Sequence, residues 1–162
     1  MAATVIPIDT LPSINPATGE VLAHFERTPV SSLPEIVSRA RLAQRDWAKL
    51  PIRDRCAKLR ELRERIMAWR NELADVVVRE SGKPRVEALF ADIFVAVDSA
   101  EYWSRSAESA LRTRGVPHHS TAAKAKRGYL IYDPLGVIAI ISSWNYPLAI
   151  PLSEIIPAVA GF

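Results

Sequence analysis

Cysteine is nearly absent: Cys56 stands alone among 162 residues. A single thiol makes no internal disulfide, so the chain fits a reducing compartment, with the cytoplasm as the default. Glycine is sparse as well. The six, at positions 19, 82, 115, 128, 136 and 161, form neither a Gly-x-Gly-x-x-Gly run nor a P-loop spacing, so no phosphate cradle is assigned. His118 and His119 are adjacent, point in different directions on any regular element and lack helical ligand spacing, so no metal site is expected. Residues 1–9 contain no basic stretch and no sustained apolar run, and no secretory leader is expected. An excess of one charge is missing too. The 21 basic residues are interspersed with 18 acidic ones, for a net charge of +3, so neither nucleic acid nor a membrane surface is an expected partner. What is present is 49% hydrophobic and 24% charged, an ordinary globular composition with length enough for one core.

Residues 11–27 place Asn15-Pro16 and Thr18-Gly19 between two short apolar runs, the pattern of strand, turn and strand. A first helix is announced by Ser32 with Glu35 three residues on, a capping-box spacing. It carries Ile36, Ala40, Ala43 and Trp47 on one face to an end near Lys49. Pro51 then opens a second helix, in which Cys56, Leu59, Leu62, Ile66 and Trp69 recur every three or four residues while Arg53, Asp54, Arg60, Glu61 and Glu64 face water. That spacing makes Cys56 a packing residue rather than a nucleophile. Asn71 is placed to cap a third helix through Arg79, stopped at Ser81-Gly82 by a left-handed glycine, with Lys83 beside the C-terminal dipole. Pro84 opens a fourth helix with Val86, Leu89, Phe90, Ile93, Phe94, Val97, Ala100 and Trp103, a stripe wide enough to be sandwiched between other elements. Residues 112–125 read as a solvated loop. Lys124, Lys126 and Arg127 then lead into a strand at Tyr129, Leu130, Ile131 and Tyr132.

Residues 134–148 change character midway, from a β-branched, apolar run to a polar turn closed by proline. Residues 137–141 are continuously apolar, as a parallel strand covered on both faces would be, and Pro147 suits the first turn of a following helix. Ser142, Ser143, Trp144 and Asn145 therefore fall between the carboxyl end of a strand and a helix N-terminus, where open α/β sheets place ligands. Taken alone, the same turn is also satisfied by Asn145 acting only as a helix cap. Residues 135–162 carry one formal charge, Glu154, and are long enough to span a bilayer. Pro147, Pro151, Pro157 and the Ser-Ser-Trp-Asn interruption favour a strand and a core helix instead.

Four features in order resemble the aldehyde dehydrogenase superfamily. They are Asn-Pro-Ala-Thr-Gly-Glu in the hairpin, the Trp47 helix, Glu-Ser-Gly-Lys-Pro followed by Glu87-Ala88, and Pro-x-Gly-Val followed by Trp144-Asn145, an aromatic residue, Pro147 and Leu148. The resemblance implies an α/β chain: an incomplete, Rossmann-type cofactor domain over residues 1–162, helix-rich, with an N-terminal β-hairpin. Residues 113–134 would supply a loop and strand of the arm through which subunits associate as homodimers or homotetramers. It further implies NAD or NADP as cofactor and a small-molecule aldehyde as substrate, oxidised to a carboxylic acid through a cysteine thiohemiacetal. Asn145 takes the family's oxyanion role, donating its side-chain amide to the substrate oxygen as the thiolate attacks. Ile141, Ser142, Ser143 and Trp144 match positions that line the nicotinamide cofactor, and Ser143 stands where many members have proline.

The family's nucleophilic cysteine, general-base glutamate and ribose-binding lysine all lie C-terminal to the matched stretch. The chain therefore reads as an N-terminal portion without the catalytic domain, with Phe162 a truncation point, and is expected to be inactive alone. Its strand at 137–141 would lack neighbours, leaving apolar surface exposed. A rival reading from the helices is a noncatalytic binding or scaffold module that ends in a hydrophobic docking segment. Quenching of Trp144 fluorescence by NAD in an extended chain separates the two.

Overall fold

Prolines, glycines and the spacing of small apolar residues set most element boundaries. In the computed structural model, which describes residues 10–123 and 126–161, Thr10–Ile14 (β1) and Val21–Glu26 (β2) form the expected antiparallel hairpin. Asn15 closes its turn: Oδ1 accepts from the Ala17 N–H, and the main-chain carbonyl accepts from Gly19, whose φ of +73° suits a residue without Cβ. Residues 1–9, Lys124 and Phe162, each given a reading above, lie outside the described residues.

Leu33–Ala48 (α1) has the expected extent, but its capping box does not form. Ser32 ends a 3-10 turn, Val30–Ser32, in helical geometry, and its hydroxyl donates back to the Pro29 carbonyl at 2.7 Å instead of accepting from the helix. Ile52–Ala68 (α2) follows Pro51 and buries Cys56, Leu59 and Ile66. Trp69, expected on the same face, sits at the joint with Arg70–Ser81 (α3) and is 63% exposed. That joint is tight. The Leu73 N–H donates to the Trp69 carbonyl, so α3 starts without Asn71 as its cap, and Asn71 accepts from Arg85 Nη2 at 3.0 Å. Gly82 ends α3 in the left-handed region at φ +72°, as the sequence required.

The fourth helix (α4) changes its hydrogen bonding along its length: α-helical at Arg85–Glu87, π-helical at Ala88–Phe94 and α-helical again at Val95–Ala110. Its stripe divides rather than being sandwiched. Ala88, Ile93, Ala96, Ala100 and Ala107 are buried, whereas Val86, Phe90 and Phe94 stay exposed because the described residues cover one face only. Two clusters result. Cys56, Leu59, Ala100, Ala107, Ile156 and Ala160 join α2, α4 and Ala149–Gly161 (α5), while Ile66, Ala74, Val77, Ala88, Ile93 and Ala96 join α2, α3 and α4. Leu62 and Leu152 touch both clusters. Trp47 ties α1 to this body, its indole Nε1 donating to the Val159 carbonyl at 2.9 Å. Among the described residues, no helix is long and apolar enough to cross a membrane.

Residues 112–125, expected to be loop throughout, contain a short strand, Arg114–Val116 (β3), paired antiparallel with Gly128–Leu130 (β4). Arg114 pairs with Leu130, the last pair of the ribbon, so Ile131 and Tyr132 fall outside the strand predicted for them. The strand expected at 137–141 is not formed. A strand needs a neighbour for its N–H and C=O groups, and the described residues pair only as β1 with β2 and β3 with β4.

Candidate functional site

The turn between the unpaired segment and α5 is held from behind by Asp92, which the sequence did not single out, and by Lys83, which it placed elsewhere. Its first helical bonds run from the Ile150 N–H to the Tyr146 carbonyl and from the Leu152 N–H to the Leu148 carbonyl, so Pro147 lies in the first turn, where its missing N–H costs nothing. A helix start leaves N–H groups without intrahelical partners. Those of Leu148 and Ala149 donate to Asp92 Oδ1, each at 3.1 Å. The cap of α5 therefore comes from the π-helical part of α4. A cap at Asn145 would serve the N–H groups two and three positions on. Pro147 has none and that of Leu148 is taken by Asp92, so the cap-only reading of Asn145 fails.

Asp92 is fully buried, and its Oδ2 accepts from Lys83 Nζ at 2.7 Å. Lys83 was expected beside the dipole of α3. It points inward instead, 9% exposed, because the left-handed Gly82 turns the chain toward α4. Its ammonium also donates to the Asn145 main-chain carbonyl at 2.9 Å and lies 4.3 Å from the centre of the Tyr146 ring. A buried pair of charges is tolerated only when nearly every donor and acceptor is used, and here the carboxylate takes three donors while the ammonium reaches two oxygens and a ring face. The signal that could have found Asp92 is its position. It is an acid four residues after Ala88 and four before Ala96, on the buried alanine spacing of α4, where a charge requires a buried partner.

The expected site residues form one uncovered edge in front of this lock. Ser142, Ser143 and Asn145 are exposed, Ile141 is 98% exposed and Trp144 is 82% exposed. They are brought together as consecutive residues, not as side chains converging on an enclosed cavity. Trp144 and Pro147 border a cleft of about 280 Å³ shared with Ser13, Ile14, Glu80 and Ser81. Cys56 does not line this cleft: it is buried in the α2–α4–α5 cluster, with Sγ 4.0 Å from the Trp103 carbonyl.

The profile described as "Aldehyde dehydrogenase family" matches residues 6–161. The chain belongs to the aldehyde dehydrogenase family. It is 32% identical over 153 residues to a betaine aldehyde dehydrogenase of Vibrio vulnificus (strain YJ016), covering 94% of this chain and 30% of that one. A 4,4'-diapolycopene aldehyde oxidase of Methylomonas sp is 29% identical over 150 residues, 93% of this chain and 28% of the relative. Among solved structures, an aldehyde dehydrogenase from Brucella melitensis biovar abortus 2308 superposes with a TM-score of 0.85 at 27% identity, over 94% of this chain and 30% of that one. A 3,6-anhydro-L-galactose dehydrogenase in complex with NAP gives 0.82 at 29% identity, over 94% and 31%. The chain thus spans less than a third of the length of these curated relatives. Its helix-rich body with two small strand pairs matches the N-terminal part of the aldehyde dehydrogenase fold.

In this aldehyde dehydrogenase chain, the features that carry the resemblance touch one another or the last helix. A Cβ on Gly82 would sit 2.9 Å from Pro16 Cγ, which brings the hairpin turn against the Gly-Lys-Pro break. Lys83 of that break holds Asn145, and Trp47 holds α5.

Proposed function

We propose that this chain is the N-terminal portion of an NAD- or NADP-dependent oxidoreductase that converts a small aldehyde to its carboxylic acid, with Asn145 as the oxyanion donor. The observation that carries the reading is the division of labour in the turn. Asp92 and Lys83 satisfy its backbone from the buried side, which leaves the Asn145 carboxamide on the exposed side, uncommitted to capping.

When a thiolate adds to an aldehyde carbon, the carbonyl electron pair moves onto oxygen and a thiohemiacetal oxyanion forms. The Asn145 N–H donates to that oxygen. Because the charge grows on going to the transition state, this bond lowers the barrier more than it tightens substrate binding. Ile141 and Trp144 present uncovered apolar surface beside Asn145, with the exposed residues Ser142 and Ser143 between them, a donor set that fits the flat nicotinamide end of the cofactor and not its phosphates. Bound there, the cofactor would supply the hydride acceptor. The nucleophilic thiol, the base that activates water and the ribose-binding lysine would come from sequence outside this chain, which alone would be inactive. The buried thiol of Cys56 accords with a reducing, cytoplasmic setting.

Residues 113–134, with the β3–β4 ribbon, fit the arm of a homodimer or homotetramer. Leu130 and Ile131 leave 45% and 65% of their surface uncovered at its end. Making both acidic in the full-length polypeptide should shift its sedimentation toward smaller species. An unchanged profile would count against the arm.

The catalytic test is also made in the full-length polypeptide that carries this chain. Asn145→Ala should lower kcat by about a hundredfold or more, with little change in cofactor affinity, as loss of an oxyanion donor does. An unaffected kcat, with chemistry rate-limiting, would remove the assignment.

A further inference from the structure

We propose that Lys83 is a positioning residue for Asn145, and that the Lys83–Asp92 pair clamps the turn at both ends so that the Asn145 carboxamide is held at its working angle. The inference rests on the reading of Asn145 as the oxyanion donor and adds two residues to it. Lys83 Nζ holds the Asn145 carbonyl at 2.9 Å, which fixes the peptide plane between Asn145 and Tyr146 and so constrains the backbone from which the Asn145 side chain projects. Asp92 holds the N–H groups of Leu148 and Ala149, three and four residues on. The two clamps are joined by the 2.7 Å ion pair. Pro147 stiffens the chain between them.

The arrangement does more than hold α5 in place. Helix capping needs only the two bonds to Asp92 Oδ1, and the interior would be simpler without an ammonium, since a buried pair is often replaceable by apolar groups at no loss of stability. Lys83 adds the one bond that reaches Asn145 itself. Tyr146 packs over the same ammonium, so the residues on either side of the Asn145–Tyr146 peptide plane are held by one cation. Neither Lys83 nor Asp92 lies on the exposed edge, so neither touches substrate, and their effect on the reaction passes through Asn145.

The test is a double-mutant cycle in the full-length polypeptide, read as the single-turnover rate of aldehyde oxidation together with the KM for cofactor. Lys83→Met keeps an unbranched apolar stem, one atom shorter, and removes the charge. It should lower the rate about tenfold to a hundredfold, the cost of a donor displaced by about an ångström, and leave the cofactor KM unchanged. In the Asn145→Ala background the same substitution should change the rate by less than about twofold, because the group it positions is gone. Asp92→Asn keeps the shape and an acceptor for the two N–H groups, and should show a smaller loss with the same non-additivity. It carries the cycle should Lys83→Met fail to fold. Equal losses in both backgrounds would overturn the positioning role while leaving the Asn145 assignment standing. An Asn145→Ala variant with an undiminished rate would overturn that assignment, and the positioning role with it.

Discussion

The body built from α2, α4 and α5 and the edge formed by residues 131–145 have similar chemistry and opposite fates. Both are rich in aliphatic and aromatic side chains. In the body, Leu59, Ile93 and Ile156 are at most 3% exposed, whereas Leu135, Ile141 and Trp144 on the edge are more than 80% exposed. The difference lies in where each finds its hydrogen bonds. A helix satisfies its backbone locally and needs neighbours only for its apolar stripe, which α2, α3, α4 and α5 provide for one another. A strand needs a neighbour for its backbone as well, and the edge has none among the described residues. The turn containing Asn145 sits at the boundary and belongs to the body, because Asp92 and Lys83 reach it from α4 and from the end of α3.

Substitutions on the two sides of that boundary should separate by size. The largest loss is expected for Asp92→Ala, which strands a buried ammonium and two N–H groups and should cost about 3–5 kcal/mol by urea titration. Pairing the change as Lys83→Met with Asp92→Leu should cost less than the two single losses combined, because no charge is left buried alone. Ile156→Ala, deep in the body, should cost about 2–5 kcal/mol through the cavity it leaves. Gly82→Ala comes next. Its φ of +72° imposes about 1–2 kcal/mol on any residue with a Cβ, and that Cβ would meet Pro16 at 2.9 Å, so the hairpin turn must also shift. The smallest effect belongs to the edge: Ile141→Ser should stay within about 0.5 kcal/mol in this chain, since the side chain is already in water. A large loss at Ile141 would mean that the edge is packed after all, and the comparison would fail.

What was legible in the sequence was local. Asn15 and Gly19 write their own turn, Pro51 and Gly82 mark helix ends by their backbone geometry, and the spacing of Cys56, Leu59 and Ile66 gives the buried face of α2. The capping box at Ser32 was misread because a 3-10 turn ahead of α1 gave the hydroxyl a nearer acceptor. Trp69 was misread because periodicity carries no information about where a helix stops. The strand expected at 137–141 does not form, because pairing is a relation between segments and the described residues offer this one no partner. The Lys83–Asp92 pair was missed for a similar reason. In sequence Lys83 belongs to the end of α3 and Asp92 falls within an apolar stripe, and only the fold shows that they share one buried position behind Asn145.

Native-state hydrogen exchange on the 162-residue chain tests the account most directly. The amides of Leu148 and Ala149, bonded to a buried carboxylate, should exchange only as slowly as the helical body opens, while those of residues 137–141 should exchange near the rate of an unprotected peptide. Asp92→Ala, which removes the acceptor, should speed exchange at Leu148 and Ala149 and leave residues 137–141 as they were. Equal protection of the turn and the edge, or a turn that exchanges freely while α2 and α4 stay protected, would contradict the claim that the helical body holds the Asn145 turn.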